Sequence, residues 1–311
     1  MKRVITITPN PALDKSTRVE YINPDQKLRC EQPSYEPGGG GINVSRAIRR
    51  LEGDSRAYHL SGGPIGEMFC DLLDKEGVKH TPIPIKGITR VSFTAMEEST
   101  NQQYRFTMPG PEVEEKAWQD LLDQALNQTE EAMIIVASGS LPPGVPINFY
   151  GLLAGRVKGT EHQLIVDSSG EELKAAADQG VTLLKPNMRE LKHLADEEIQ
   201  NEAQQEDVVQ KLLDQNKAQV VVVSLGAAGV LLASSDGFER IRAPTVNIKS
   251  KIGAGDSMVA GIVLGLSQEK SLGEAVRYGV AAGASAVATP GTELCRKGKT
   301  DQLYNKMMSG K

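Results

Sequence analysis

The chain has 311 residues, with 35 basic and 40 acidic side chains, 39% hydrophobic residues and 24% charged residues. That length holds one large domain or two ordinary ones, and the composition excludes a disordered polymer. A net charge of -5 gives no broadly basic surface for nucleic acid or an anionic membrane. Glycine stands out at 31 residues while aromatics make up only 4%, so the backbone is used closely where side chains are unwelcome.

In chain order, MKRVITITPN opens as a buried strand. Its apolar part is too short for a signal peptide and no small-residue cleavage pattern follows. No apolar run approaches the ~20 residues that a membrane-spanning helix requires, so the expected location is the cytoplasm. Residues 15–37 and 80–107 lack helical periodicity and alternate polar with apolar, the pattern of exposed antiparallel strands. They read as a small β-sheet outgrowth over one end of the main sheet, acting as a lid or an oligomer contact, or else as two ordinary surface hairpins. Residues 132–138, 163–169, 182–187 and 219–226 are short runs rich in Val and Ile, typical of strands buried on both faces. Helical stretches at 148–157 and 206–215 alternate with them. The expected fold is therefore α/β, a doubly wound and mostly parallel sheet with helices on both faces, in a single domain spanning 1–311. Residues 256–267 and 273–288 close the chain as helices of small residues, suited to close packing.

Cys30, Cys70 and Cys295 are odd in number, far apart and without CxxC spacing, which argues against a disulfide framework or a zinc site. His59, His80, His162 and His193 form no metal-binding spacing and read as surface or structural residues.

Three glycine-rich points fall at strand-to-helix junctions. Gly38–Gly41, followed by Asn43, is either a flexible hinge or a place where backbone N–H groups approach a ligand, with the Asn43 amide free to bond a polyol. Gly253–Ala254–Gly255 opens a helix whose N-terminal amides suit a phosphoryl group or an oxyanion. Asp256 beside them is either an N-cap or a base for an attacking hydroxyl. The third point, Ser224 to Gly229, is a phosphate-side turn or a plain tight turn. No G-x-G-x-x-G follows a strand, and Gly298-Lys299-Thr300 lacks both the upstream glycine and the strand of a P-loop.

TPNPALD near the N-terminus, GGGGIN at 38–43, SGSLPPG at 138–144, KPNMRE at 185–190 and IGAGDS at 252–257 together resemble the ribokinase-like (PfkB) carbohydrate kinases, in family order and over essentially the whole chain. KLRC at 27–30, EPGGGGINV at 36–44 and QYRFTMPG at 103–110 bring the resemblance nearest to the ATP-dependent minor 6-phosphofructokinases.

The resemblance implies transfer of the ATP γ-phosphoryl group to the 1-hydroxyl of fructose 6-phosphate. Asp256 would be the base, and the amides of Gly253, Ala254 and Gly255 the anion hole. Asp14, Gly39, Gly40 and Asn43 would hold sugar hydroxyls, with Arg90 and Ser140 at the sugar phosphate. Lys27 and Arg29 would stand near it, supplied by the partner in a homodimer built through the lid. Lys185, Asn187, Ser224, Gly226 and Gly229 would line the nucleotide side, and Val280 and Gly283 on the last helix would wall the adenine. Glu190 and Asp167 would organise Mg²⁺. Ser250, Ile252, Ala286, Thr289 and Gly291 are the local candidates for K⁺. Ala284 departs from relatives that carry Asn near the adenine, and Pro290 and Glu293 depart beside the K⁺ candidates. The rival substrates are fructose 1-phosphate and tagatose 6-phosphate, and the rival of another class is a catalytically silent sugar-phosphate sensor.

Overall fold

Val/Ile-rich strands need apolar cover on both faces, and that requirement organises the chain. The computed structural model describes residues 2–127, 131–250, 252–289 and 293–309. Its strands are β1 (Arg3–Thr8), β2 (Ala12–Val19), β3 (Ser34–Gly38), β4 (Arg56–Ser61), β5 (Lys79–Pro84), β6 (Arg90–Glu97) and β7 (Gln102–Phe106). They continue with β8 (Met133–Ser138), β9 (Gln163–Asp167), β10 (Val181–Leu184), β11 (Ala218–Ser224), β12 (Val230–Ser234) and β13 (Gly237–Ile241). The helices are α1 (Gly40–Arg50), α2 (Gly63–Lys75), α3 (Glu115–Leu126), α4 (Phe149–Val157), α5 (Gly170–Gln179), α6 (Met188–Ala195) and α7 (Glu202–Asp214), followed by α8 (Ala254–Ser267), α9 (Leu272–Val287) and α10 (Lys297–Met308).

A 9-stranded sheet runs in the order β13-β12-β11-β10-β9-β8-β1-β4-β5. It is parallel from β5 to β11, while β12 and β13 add an antiparallel edge. One face buries α3, α4 and α5 residues such as Trp118, Leu121 and Phe149, and the other buries α1, α8 and α9. Strand order reverses its direction of growth at β1, with β4 on one side and β8 on the other. In such sheets the crevice outside the carboxyl ends of the strands at that switch is where ligands bind.

The small sheet exists, but its composition differs from the expectation. Its order is β3-β2-β6-β7, so the contribution of the second segment starts at Arg90 rather than at residue 80. Residues 79–84 instead pair in parallel with β4 as the edge of the main sheet. Pro82 and Pro84 lack ladder donors, and an edge tolerates this. The sheet is also not purely antiparallel, because β2 and β6 run parallel over eight residue pairs.

The chain does not end at the small-residue helices. α10 follows them and carries Gly298-Lys299-Thr300 within a helix, and no strand among the described residues leads into it. The small residues of α8 and α9 serve packing: a Cβ on Gly261 would lie 2.7 Å from the Cα of Gly279, and one on Gly265 2.8 Å from the Cα of Ala275.

Candidate active site

A cavity of about 460 Å³ opens at the carboxyl ends of the central strands, beneath the small sheet. Its wall includes Asp14, Gly39, Gly40, Asn43, Arg90, Ser140, Asp167, Glu190, Ile252, Gly253, Gly255 and Asp256, which the sequence had scattered over more than two hundred positions. Ala254 lies between two of these glycines as the first residue of α8.

Gly253 is the N-cap of α8, with φ 70°. The left-handed conformation turns the chain sharply into the helix at a position where other residues are strained. The helix start presents unpaired amides and the positive end of the helix dipole. Asp256 is not the cap. It sits in the first turn and accepts a hydrogen bond from Asn43 Nδ2 at 2.9 Å. Burial raises its pKa to about 7, with the nearby Asp167 carboxylate pushing the same way, while Asn43 and Lys185 oppose them. A carboxylate with its pKa near neutrality, beside a turn built for anions, can take a proton from a hydroxyl.

Asn43 is itself held. Arg46 Nη1 donates to Asn43 Oδ1 at 3.4 Å and to the Pro37 carbonyl at 2.8 Å. Its Nε and Nη2 grip the Glu76 carboxylate at 2.8 and 2.6 Å. The chain from Glu76 through Arg46 to Asn43 turns the amide NH₂ toward Asp256. Arg46 is only 2% exposed, and nothing in the motif spacing pairs it with Glu76.

The cationic wall comes from the small sheet. Arg90 donates to the carbonyls of Asn10 at 2.9 Å, Met108 at 2.7 Å and Pro11 at 3.4 Å, which fixes its plane. Arg105 on β7 also lines the cavity and has no ion-pair partner among the described residues. It received no role from the sequence, although QYRFTMPG contains it. Burial raises the pKa of Asp14 to about 6, against the pull of Arg46, Arg90 and Arg105 in that order. The Ser140 hydroxyl is exposed and accepts from Asn10 Nδ2 at 3.4 Å.

Lys185 and Asp167 form an ion pair of 3.0 Å, with side chains 6% and 14% exposed. Burial works against the lysine's charge, but Asp167, helped by Glu190 and Asp256, holds the pKa above the usual value. Burial and the same aspartate push the Glu190 carboxyl up. Asp167 and Glu190 are oxygen donors on one cavity wall, which fits a hard divalent cation such as Mg²⁺.

Other expected residues lie elsewhere. Asn187 caps α6 in a reciprocal box with Glu190, and Ser224 receives the chain beside it through a hydrogen bond from its amide to the Pro186 carbonyl at 2.8 Å. Gly226 begins an exposed turn after β11. At Gly229, with φ 99°, a Cβ would lie 2.0 Å from the Ile241 carbonyl oxygen, so packing alone requires that glycine. Val280 is 2% exposed within the core. Gly283 is buried against the start of α8, 3.1 Å from the Ala254 carbonyl in terms of an added Cβ. Neither lines this cavity, and their helix, α9, is not the last, since α10 follows it.

Lys27 and Arg29 are exposed and do not line the cavity. Among the K⁺ candidates, Ser250 Oγ accepts from the Ile252 amide at 3.2 Å. The Ala286 carbonyl already accepts from the Thr289 amide at 3.0 Å and its hydroxyl at 2.7 Å. Gly291 lies outside the described residues, as do Lys251 and Pro290.

Residues 7–298 match the pfkB family carbohydrate kinases. The chain is 42% identical over 302 residues to the ATP-dependent 6-phosphofructokinase isozyme 2 of Mycobacterium tuberculosis, covering 97% of this chain and 89% of that one. It is 41% identical over 305 residues to the enzyme of the same name from Escherichia coli K12, covering 98% of each. The crystal structure of phosphofructokinase-2 from Escherichia coli in complex with potassium superposes with a TM-score of 0.96 at 40% identity, over 99% of this chain and 100% of that chain. Fold, cavity and sequence converge, and the chain belongs to the pfkB family of carbohydrate kinases.

Proposed function

We propose that this chain is an ATP-dependent 6-phosphofructokinase, moving the γ-phosphoryl group of ATP to the 1-hydroxyl of fructose 6-phosphate to give fructose 1,6-bisphosphate. The observation that carries this reading is Asp256: a carboxyl with its pKa raised to about 7, hydrogen-bonded by Asn43 and set in the first turn of the helix that Gly253 opens. It is supported by the two relatives of that name.

Phosphoryl transfer asks for alignment and charge neutralisation more than covalent chemistry. Asp256 takes the proton of the attacking hydroxyl. The amides of Gly253, Ala254 and Gly255 receive charge building on the moving phosphoryl group. Asp14, Gly39, Gly40 and Asn43 orient the sugar hydroxyls, while Arg90, Arg105 and Ser140 meet its phosphate, where a planar guanidinium matches a phosphate bidentately. Lys185, with Asn187, Ser224 and Gly226 near the ends of β10 and β11, serves the nucleotide. Mg²⁺, held by Asp167 and Glu190, would neutralise the triphosphate oxygens.

In this reading the chain is one kinase domain, and the small sheet is both lid and dimer contact. Tyr35, Phe106 and Met108, at 37%, 51% and 45% exposure, leave apolar surface on or beside it. Lys27 and Arg29 would then reach the partner's cavity. No helix among the described residues is long and apolar enough to cross a membrane, which suits the proposed cytoplasmic location.

Coupled ADP-release assays on fructose 6-phosphate, fructose 1-phosphate and tagatose 6-phosphate test the substrate, and preference for either of the latter two overturns it. Absence of turnover on all three would favour a sensor. Light scattering should report a dimer at micromolar concentration, and a fully active monomer would remove the lid contact from the reading.

A further inference from the structure

At the β5 edge of the main sheet, away from the cavity, three side chains that phosphoryl transfer does not use converge. His59 comes from β4, Cys70 from α2 and His80 from β5. One ligand atom of each lies within 4.8 Å of the other two. His59 Nε2 and His80 Nδ1 are 3.1 Å apart, close to the ~3.3 Å expected of two nitrogens on one tetrahedral metal with bonds of ~2.05 Å.

The surroundings are those of a metal site. His80 Nε2 stands 3.2 Å from Asp74 Oδ1, and a carboxylate on the far nitrogen of a ligand histidine fixes its tautomer and raises its basicity. With that proton on Nε2, Nδ1 of His80 keeps its lone pair toward His59. Phe69 packs edge-on against the His59 ring at 5.1 Å. His59 is fully buried and its Nδ1 has no partner, so Nε2 is the ring nitrogen turned toward the cluster. Cys70 is half-buried, which leaves an approach for an ion.

We propose that His59 Nε2, His80 Nδ1 and Cys70 Sγ bind Zn²⁺, with Asp74 as the outer partner of His80 and water completing the tetrahedron. Two imidazoles and one thiolate are a borderline-to-soft donor set that suits zinc and excludes Mg²⁺, which demands oxygen. Binding replaces the Cys70 thiol proton, released to solvent, with a Zn–S bond, and no oxidation state changes. The ion would tie the proline-bearing edge strand β5 to β4 and α2. That corner also holds the apolar cluster of Ile42, Ala57, Phe69, Leu73 and Val78.

The test titrates metal-free, full-length protein with Zn²⁺ and Co²⁺ in excess Mg²⁺. Expected are one bound equivalent, a thiolate-to-cobalt charge-transfer band with strong tetrahedral d–d bands, and a Tm that rises with free Zn²⁺. Cys70→Ser should abolish the charge-transfer band, Cys30→Ser should keep it, and Asp74→Asn should weaken Zn²⁺ binding by about 10–100-fold. If Cys70→Ser is unfolded by circular dichroism, His80→Gln takes its place and should lose the tetrahedral d–d bands. Absence of the charge-transfer band in the unmodified protein, its survival in folded Cys70→Ser, or its loss in Cys30→Ser overturns the proposal.

Discussion

The turns at Gly38–Gly41 and Gly253–Gly255 look alike in sequence, yet Gly40 and Gly41 in the first and Gly255 in the second meet opposite surroundings. Both open a helix, α1 and α8, and both border the same cavity. In the first, the space beside the chain is already filled with protein. A Cβ on Gly40 would lie 2.2 Å from Ser138 Oγ and 2.8 Å from the Gly139 nitrogen, and one on Gly41 2.5 Å from Thr8 Oγ1. In the second, Gly253 is also crowded, a Cβ there lying 2.6 Å from Leu294 Cδ2, but one on Gly255 would find nothing nearer than Lys185 Nζ at 3.7 Å. The first turn lets one backbone lie on another, and the second leaves room beside Gly255 for a group that is not protein. A glycine run ahead of a helix is therefore an anion site only where the structure has kept the space empty.

The sharpest way to separate the two turns is to change the chemistry at the second without touching its backbone. Asp256→Asn should lower kcat by about 10²–10⁴-fold, the usual contribution of a positioned base, with sugar-phosphate affinity largely kept. Burial raises the folded-state pKa to about 7 from 3.8, so the ionised form costs stability, and that cost is incurred as pH rises through this range. The Asn variant should thus unfold at a higher temperature than the parent at pH 8, by a margin that shrinks toward pH 5.

Gly40→Ala challenges the first turn. Forcing a methyl between α1 and the Ser138–Gly139 backbone should cost about 3 kcal/mol, read as a lower Tm, and an unchanged Tm would break the contrast. For the parent enzyme, kcat/KM should rise about tenfold per pH unit below pH 7 and level off above, a limb that Asp256→Asn removes. Gly255→Ala has the smallest effect on stability, a gain of up to about 1 kcal/mol from helix propensity. It should nevertheless lower kcat/KM, because the methyl enters the space left for the phosphoryl group. Stability lost there with activity intact would reverse the assignment of the two turns.

How much of this was legible follows from what kind of information each feature needs. β8, β9 and β11 announce themselves as Val/Ile runs, because burial on both faces leaves a continuous apolar signature. Asp256 and the α8 turn are local, five residues carrying a helix start, its anion preference and the base. The parallel pairing of β2 with β6 and the departure of residues 79–84 to the main sheet are matters of register between distant segments, which alternation does not specify. The orientation of α9 is unreadable for a related reason. The small residues of α9 show that it packs closely but not which side faces α8. Arg46 with Glu76, and His59 with His80, are pairs joined only by folding, over 30 and 21 positions respectively.

Arg90 has a mechanical consequence. It bonds the carbonyls of Asn10 and Pro11, in the link by which β1 leaves the main sheet and becomes β2 of the small one. It also bonds the carbonyl of Met108, where the chain comes back from β7 toward α3. One guanidinium therefore staples both of these strands of passage between the two sheets, and the same group is proposed to meet the sugar's phosphate. Any tilt of the small sheet must carry these carbonyls along or break their bonds. The width of the cleft and its grip on an anion are then coupled through one side chain.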